Sequence, residues 1–173
     1  MNIVPDKMIN FRAYNEAEDL LGITDIQLPS LEAMTETVKG AGIAGEVDSP
    51  VLGHYGKMET VLNWRTLTRP FFNLAGQKGV KLDLRGAQQF YDAGKGEYVT
   101  KAVKCLVQGI PKKTELGKLD VGASAGNSNT IETTYLKVTI AGETVLEIDK
   151  FNYIANIGGT DYLADVREAL GLI

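Results

Sequence analysis

The sequence predicts a mainly β protein, an antiparallel β-sandwich or barrel with two short helices, and three observations point there. Apolar residues recur with a period of two along most of the chain, the signature of half-buried strands. Clusters of Gly, Asp and Asn interrupt these runs at short intervals, so neighbouring strands turn back and pair antiparallel. Length and composition are those of one domain spanning 1–173: 173 residues, 44% hydrophobic and 23% charged, enough chain to enclose a single core.

Taken in order, Phe11-Arg12-Ala13-Tyr14 and the run Leu20 to Leu28 are expected to pair around Asn15-Glu16-Ala17-Glu18-Asp19. Leu31 to Val38 admits two readings, because Leu31, Met34 and Val38 fit a helical stripe while Thr35 and Thr37 favour a strand. Lys57 to Thr66 alternates cleanly, with Met58, Thr60, Leu62 and Trp64 on one face, and this makes Trp64 a core residue. Thr68 caps a short helix near 68–75, with Pro70 in its first turn and Gly76 as its stop. Val80, Leu82 and Leu84 alternate with Lys81, Asp83 and Arg85 in a strand that ends near Tyr91. Asp92-Ala93-Gly94-Lys95-Gly96-Glu97 turns it into a strand starting at Tyr98, in which Cys105 reads as a small buried hydrophobe. Leu136, Val138 and Ile140 form the next strand, and Ala141-Gly142-Glu143-Thr144 leads into Val145. A last helix near 162–170 has Asp161 or Thr160 as its cap, Leu163, Val166 and Leu170 as its apolar stripe, and Gly171 as its stop.

Two motifs suggest enzymes and fail on context. Gly40-Ala41-Gly42-Ile43-Ala44-Gly45 fits the dinucleotide fingerprint, which needs a strand before it and a helix after it. Here Pro50, Gly53 and Gly56 exclude the helix, and Glu46 and Asp48 repel phosphate. Gly122-Ala123-Ser124-Ala125-Gly126 fits a nucleophile elbow, yet the only histidine, His54, lies upstream of it, the wrong chain order for that fold. It reads as a small polar loop, and His54 as a surface or interface imidazole. One Cys and one His provide neither a disulfide framework nor a conventional zinc site, so no cofactor is expected. A net charge of -4 argues against a grip on nucleic acid. The N-terminus has no charged head with an apolar block, and the expectation is synthesis in a cytoplasm.

If strands end near Lys39 and begin near Lys57, the connection at about 40–56 is roughly 17 residues long, beyond the usual ~12–15 for a structureless loop. Its apolar residues Ile43, Val47, Val51, Leu52 and Tyr55 are too many for a solvated tether. The loop is therefore expected to act as an assembly arm that buries these groups on another subunit, with Gly42, Gly45, Asp48 and His54 among its interface residues.

The stretches LPSLEAMTETVKGAGIAGEVDSPVLGHYGKMETVLNWRT, LDLRGAQQFYDAGKGEY, GIPKKTELGKLDVG and VLEIDKFNYIANIGGTDYLADVREALG run in order through most of the chain. They resemble the major tail tube protein of contractile-tailed bacteriophages. The resemblance implies a structural virion protein without enzymatic activity, built as hexameric rings that stack into a hollow inner tube. It makes Leu31 to Val38 a strand and the 40–56 loop a subunit contact. It also implies partners: the tail sheath, tape measure, baseplate and tail-terminator proteins, and phage DNA passing through without specific binding. Assembly would occur in the host cytoplasm. Headless contractile bacteriocins and the type VI secretion tube share this architecture and stand as the alternative. A soluble binding module or secreted tube-type effector, forming monomers or isolated rings that do not stack, is the remaining class.

Six chains of charge -4 give about -24 per ring, and carboxylates lining the bore would let DNA slide. Glu59, Asp83, Glu132 and Glu147 are the candidates, each on a polar strand face, and solvated outer positions are the equal alternative for them.

Overall fold

The structure is a computed structural model and describes residues 2–172. Among these residues the chain forms strands β1 (Ile3–Asn15), β2 (Glu18–Asp19), β3 (Ile23–Gln27), β4 (Ala33–Lys39), β5 (Glu46–Tyr55) and β6 (Glu59–Trp64). Helix α1 (Arg69–Asn73) follows, then β7 (Val80–Asp92), β8 (Glu97–Glu115), β9 (Ser128–Ile140), β10 (Glu143–Asp149), β11 (Ile154–Ile157), β12 (Thr160–Asp161) and α2 (Ala164–Ala169). Every strand pair is antiparallel, as short links between alternating runs require.

The main sheet has the order β12-β11-β10-β9-β8-β7-β1-β2, with β6 and β3 joined to it through β9. Strand β9 is shared: Tyr135–Ile140 pair with β10, and Ser128–Glu132 pair with β6. The β6–β3 half and the long strands contribute to one core, in which Leu62, Trp64 and Ile131 join Leu82, Leu84, Val107 and Leu136. Gly109 marks the point where β8 leaves β7 and continues along β9 alone. The sheet does not close into a barrel. Residues Ile3–Arg12 of β1 ladder with β7 alone, and β3 ladders with β6 alone, so each leaves one edge unpaired among the described residues.

Trp64 and Cys105 lie in this core as expected, and α1 starts where the sequence placed it. Thr68 Oγ1 accepts the Phe71 N–H at 3.4 Å, and Pro70 occupies the first turn. Two expectations are corrected. The run Leu20 to Leu28 pairs back on residues 11–14 only at its first residue: Glu18–Asp19 ladder with Tyr14–Asn15, and the Leu20 N–H donates to the Ala13 carbonyl at 2.9 Å. Gly22, at φ +97°, breaks the run, and β3 crosses to β6, where Ile23 and Ile26 pack against the core. The last helix is capped by neither Asp161 nor Thr160. Asp161 Oδ1 instead accepts the Leu163 and Ala155 N–H groups, its Oδ2 binds Arg167 at 2.6 Å, and Leu170 lies exposed beyond the buried Leu163.

Candidate functional site

The expected structureless connection at 40–56 is half of a β-hairpin arm. Strands β4 and β5 pair only with each other, forming a separate two-stranded sheet, so the true turn is just Gly40 to Gly45. Glycine is required there: Gly40, Gly42 and Gly45 all have positive φ, and the Ile43 N–H closes the turn on the Gly40 carbonyl at 3.1 Å. The dinucleotide fingerprint thus becomes a hairpin tip followed by a strand. Leu31 to Val38 resolves to a strand over β4.

Register gives the arm two unlike faces. Val38 sits directly opposite Val47, and Glu36 opposite Ser49, so alternation places Met34, Glu36, Val38, Val47, Ser49 and Val51 together. Lys39, Thr37 and Thr35 oppose Glu46, Asp48 and Pro50 on the other face, where Thr37 Oγ1 donates to Asp48 Oδ1 at 3.0 Å. The apolar face is uncovered: Met34 is 52% exposed, Val38 39%, Val47 53% and Val51 44%. Of the residues expected at an interface, Val47 and Val51 lie on this face. Ile43, Gly42 and Gly45 form the tip, and Asp48 faces away. Met34 and Val38 belong to the apolar face but were not among the expected interface residues, because β4 had no assigned pairing partner.

Val51 to His54 form a bulge between the pairs Thr35–Pro50 and Ala33–Tyr55, and it docks the arm to the body. Gly53, at φ +65°, lies so close to Leu163 that a β-carbon would meet its side chain at 2.5 Å. The Gly56 N–H donates to the Glu32 carbonyl at 2.8 Å, and Lys150 Nζ donates to the Gly56 carbonyl at 2.6 Å. His54 Nδ1 donates to the Leu52 carbonyl at 2.7 Å, which closes the bulge on itself.

Each of the four candidate lumen carboxylates has a hydrogen-bond partner within the subunit, and for Glu59, Glu132 and Asp83 that partner is a cation. Glu59 and Glu132 face each other across β6 and β9, and Lys112 Nζ bridges them at 2.5 and 2.7 Å. The Lys112 hydrogen bond holds Glu59 below its usual range, and bonds to Glu132 and Glu59 raise Lys112. Asp83 Oδ2 accepts Arg85 Nη2 at 2.8 Å, which raises the arginine, and Lys104 lies 3.9 Å away. Glu147 accepts the Tyr135 hydroxyl at 2.9 Å; burial first, and this bond second, push the phenol up to about 12. Asp83 and Glu147 share one transverse row, with Leu106 and Lys137 between them.

A second protrusion had no assigned role in the sequence. The segment from Leu116 to Ala125, between β8 and β9, carries Leu119 at 90% exposure and Val121 at 101%. The nucleophile-elbow motif ends this loop and leads into strand β9 rather than into a helix. Two branched apolar side chains thus stand in water within this loop, just before the glycine-rich motif that composition marks as polar.

A family model described as phage tail tube protein FII matches residues 5–171. The tail tube protein of Escherichia phage P2 is 27% identical over 151 residues, covering 85% of this chain and 86% of that protein.

Proposed function

The chain belongs to the phage tail tube protein FII family, and from that premise we propose that it assembles into stacked hexameric rings forming the inner tube of a contractile tail. The observation that carries self-assembly is the β4–β5 arm, an amphipathic hairpin whose apolar face its own globule leaves uncovered. Exposed apolar surface of this kind mediates association. Unpaired edges on β1 and β3 add a second drive, since a ring of copies can satisfy strand edges that would otherwise promote aggregation.

On this reading the protein performs no catalysis. It is a stiff conduit inside a sheath, built in the host cytoplasm on a baseplate around a tape measure and closed by a terminator, and phage DNA passes through it. Loose passage fits the charge pairing: Arg85 is tied to Asp83, Arg12 to Asp19, and Lys112 to Glu59 and Glu132. Each of these cations already has a carboxylate partner, which weakens its hold on phosphate.

The test is Val38→Asp combined with Val47→Lys. Both residues are exposed in the single copy, so the variant folds with its melting temperature changed by no more than ~1–2 °C, about 0.5 kcal/mol. In negative-stain images and light scattering it gives single subunits where the unmodified protein gives tubes. Tubes of undiminished length from the variant would refute the arm as the assembly element.

A further inference from the structure

Resting on the tube reading, we propose that the apolar face of the β4–β5 arm seats in a specific groove of a second copy, the open mouth between β1 and β3. This groove has a volume of about 270 Å³ and is lined by Met8 and Phe11 of β1, Ile26 and the adjoining Leu28 of the β3 side, and Leu84 and Val103 beneath them. It is the place where the core stays open. Met8 lies over Gly86, within 3 Å of where a β-carbon would stand, so the floor there is bare backbone under a flexible side chain.

Three properties define the occupant. Its buried side must be apolar and its outer side polar, as on the arm, where Met34, Val38, Val47 and Val51 back onto Thr35, Thr37, Asp48 and Lys39. It must present strand edges, because both walls of the groove do: β1 and β3 each ladder on one side only. The arm has two such edges, since β4 and β5 pair with nothing else, and an added strand gains backbone hydrogen bonds along a free edge. It must also accept a cation at the rim. Arg85, already bonded to Asp83, borders the groove together with Asp25, and Glu36, within the apolar face between Met34 and Val38, is the group to pair with Arg85.

The partner is a second copy of this chain because the arm's base is pinned elsewhere. Gly53 packs against Leu163, and Lys150 holds Gly56, beside the β10–β11 side of the sheet. Strand β1 lies at the other end of the strand order. In the single copy the arm's apolar face stays exposed and the groove stays open; donor and receptor are different surfaces of one subunit, so their contact is heterologous and propagates from copy to copy until it closes a ring or extends a filament.

Disulfide trapping tests this. In a Cys105→Ser background, Val47→Cys and Met8→Cys are combined, tubes are grown and mildly oxidised, and the products are separated without reductant. The expected result is a ladder of covalent multiples taking most of the chain, while Thr37→Cys with Met8→Cys, using the polar face, stays monomeric. Should Met8→Cys not fold, Val38→Cys with Leu28→Cys reads the same contact. Normal tubes without the ladder, equal ladders from both faces, or a disulfide within one chain would overturn the groove while the tube reading stands. No tubes from the background protein under any condition would overturn both.

Discussion

Trp64 and Asn129 offer the most quantitative test of the core. The indole is 1% exposed and its N–H donates to Asn129 Oδ1 at 2.8 Å; the same amide donates to the Phe71 carbonyl at 3.4 Å. Asn129 thus holds β9 to β6 and to α1 in a space water does not reach. Asn129→Ala leaves the indole donor stranded, at ~1–3 kcal/mol, and the void left by the amide adds ~1 kcal/mol. The sum, ~2–4 kcal/mol, lowers the melting temperature by ~5–15 °C in a domain of this length. The measurement is urea unfolding followed by circular dichroism in the monomeric Val38→Asp/Val47→Lys protein, so that assembly does not inflate stability. A double-mutant cycle isolates the cause: with Trp64→Phe the donor no longer exists, and Asn129→Ala then costs ~1–3 kcal/mol less. Equal costs in both backgrounds would show that packing, not the hydrogen bond, accounts for the loss.

Three further outcomes follow from the same geometry. Gly53→Ala places a β-carbon against Leu163 and a side chain at positive φ, a cost of ~1–2 kcal/mol; hydrogen exchange at Gly56, at the base of the arm, speeds up while that of core amides such as Val107 does not. Glu59 is held below its ordinary value of 4.5 by Lys112, so this pair stabilises the fold above that pH and loses its contribution as pH falls through the lowered folded value. The melting-temperature advantage of the unmodified protein over Lys112→Met therefore shrinks on acidification below about 4.5, and an advantage that grows there would reverse the assignment. Val121→Ser leaves monomer stability unchanged, because the side chain stands fully in solvent, yet it slows or weakens tube growth if that loop is buried between copies; unaltered growth curves would remove it from the interface.

What the sequence revealed and concealed divides along local and non-local physics. Alternation and turn chemistry are properties of neighbouring residues, so Lys57 to Thr66, the Asp92 turn, the Thr68 cap and the burial of Trp64 were all legible. Pairing partners depend on distant chain. Nothing within Leu20 to Leu28 states that Ile23 and Ile26 will pack beside β6; only the shape of the finished core does. In the same way, Lys112 lies far in sequence from Glu59 and Glu132, and their ion pairs appear only once the β6, β8 and β9 registers are known.

The arm shows the most instructive partial reading. Pro50, Gly53 and Gly56 rightly excluded a helix, but the same residues do not exclude a strand in a two-stranded sheet, where a proline can occupy the unladdered side. With the loop recast as a hairpin, its apolar residues cease to be scattered. Val38 and Val47 become a facing pair, Met34 and Val51 extend it, and the charged and hydroxyl side chains collect behind. The inference that this segment seeks a partner thereby gains a geometry. A flexible loop would lose conformational entropy on docking, whereas a hairpin clamped at its base by Gly53, Gly56 and Lys150 has already given up most of that freedom in the single subunit. Such preorganisation makes weak, uniform contacts sufficient for a long polymer, and it predicts that loosening the base with Gly53→Ala harms assembly more than the small loss of subunit stability alone accounts for.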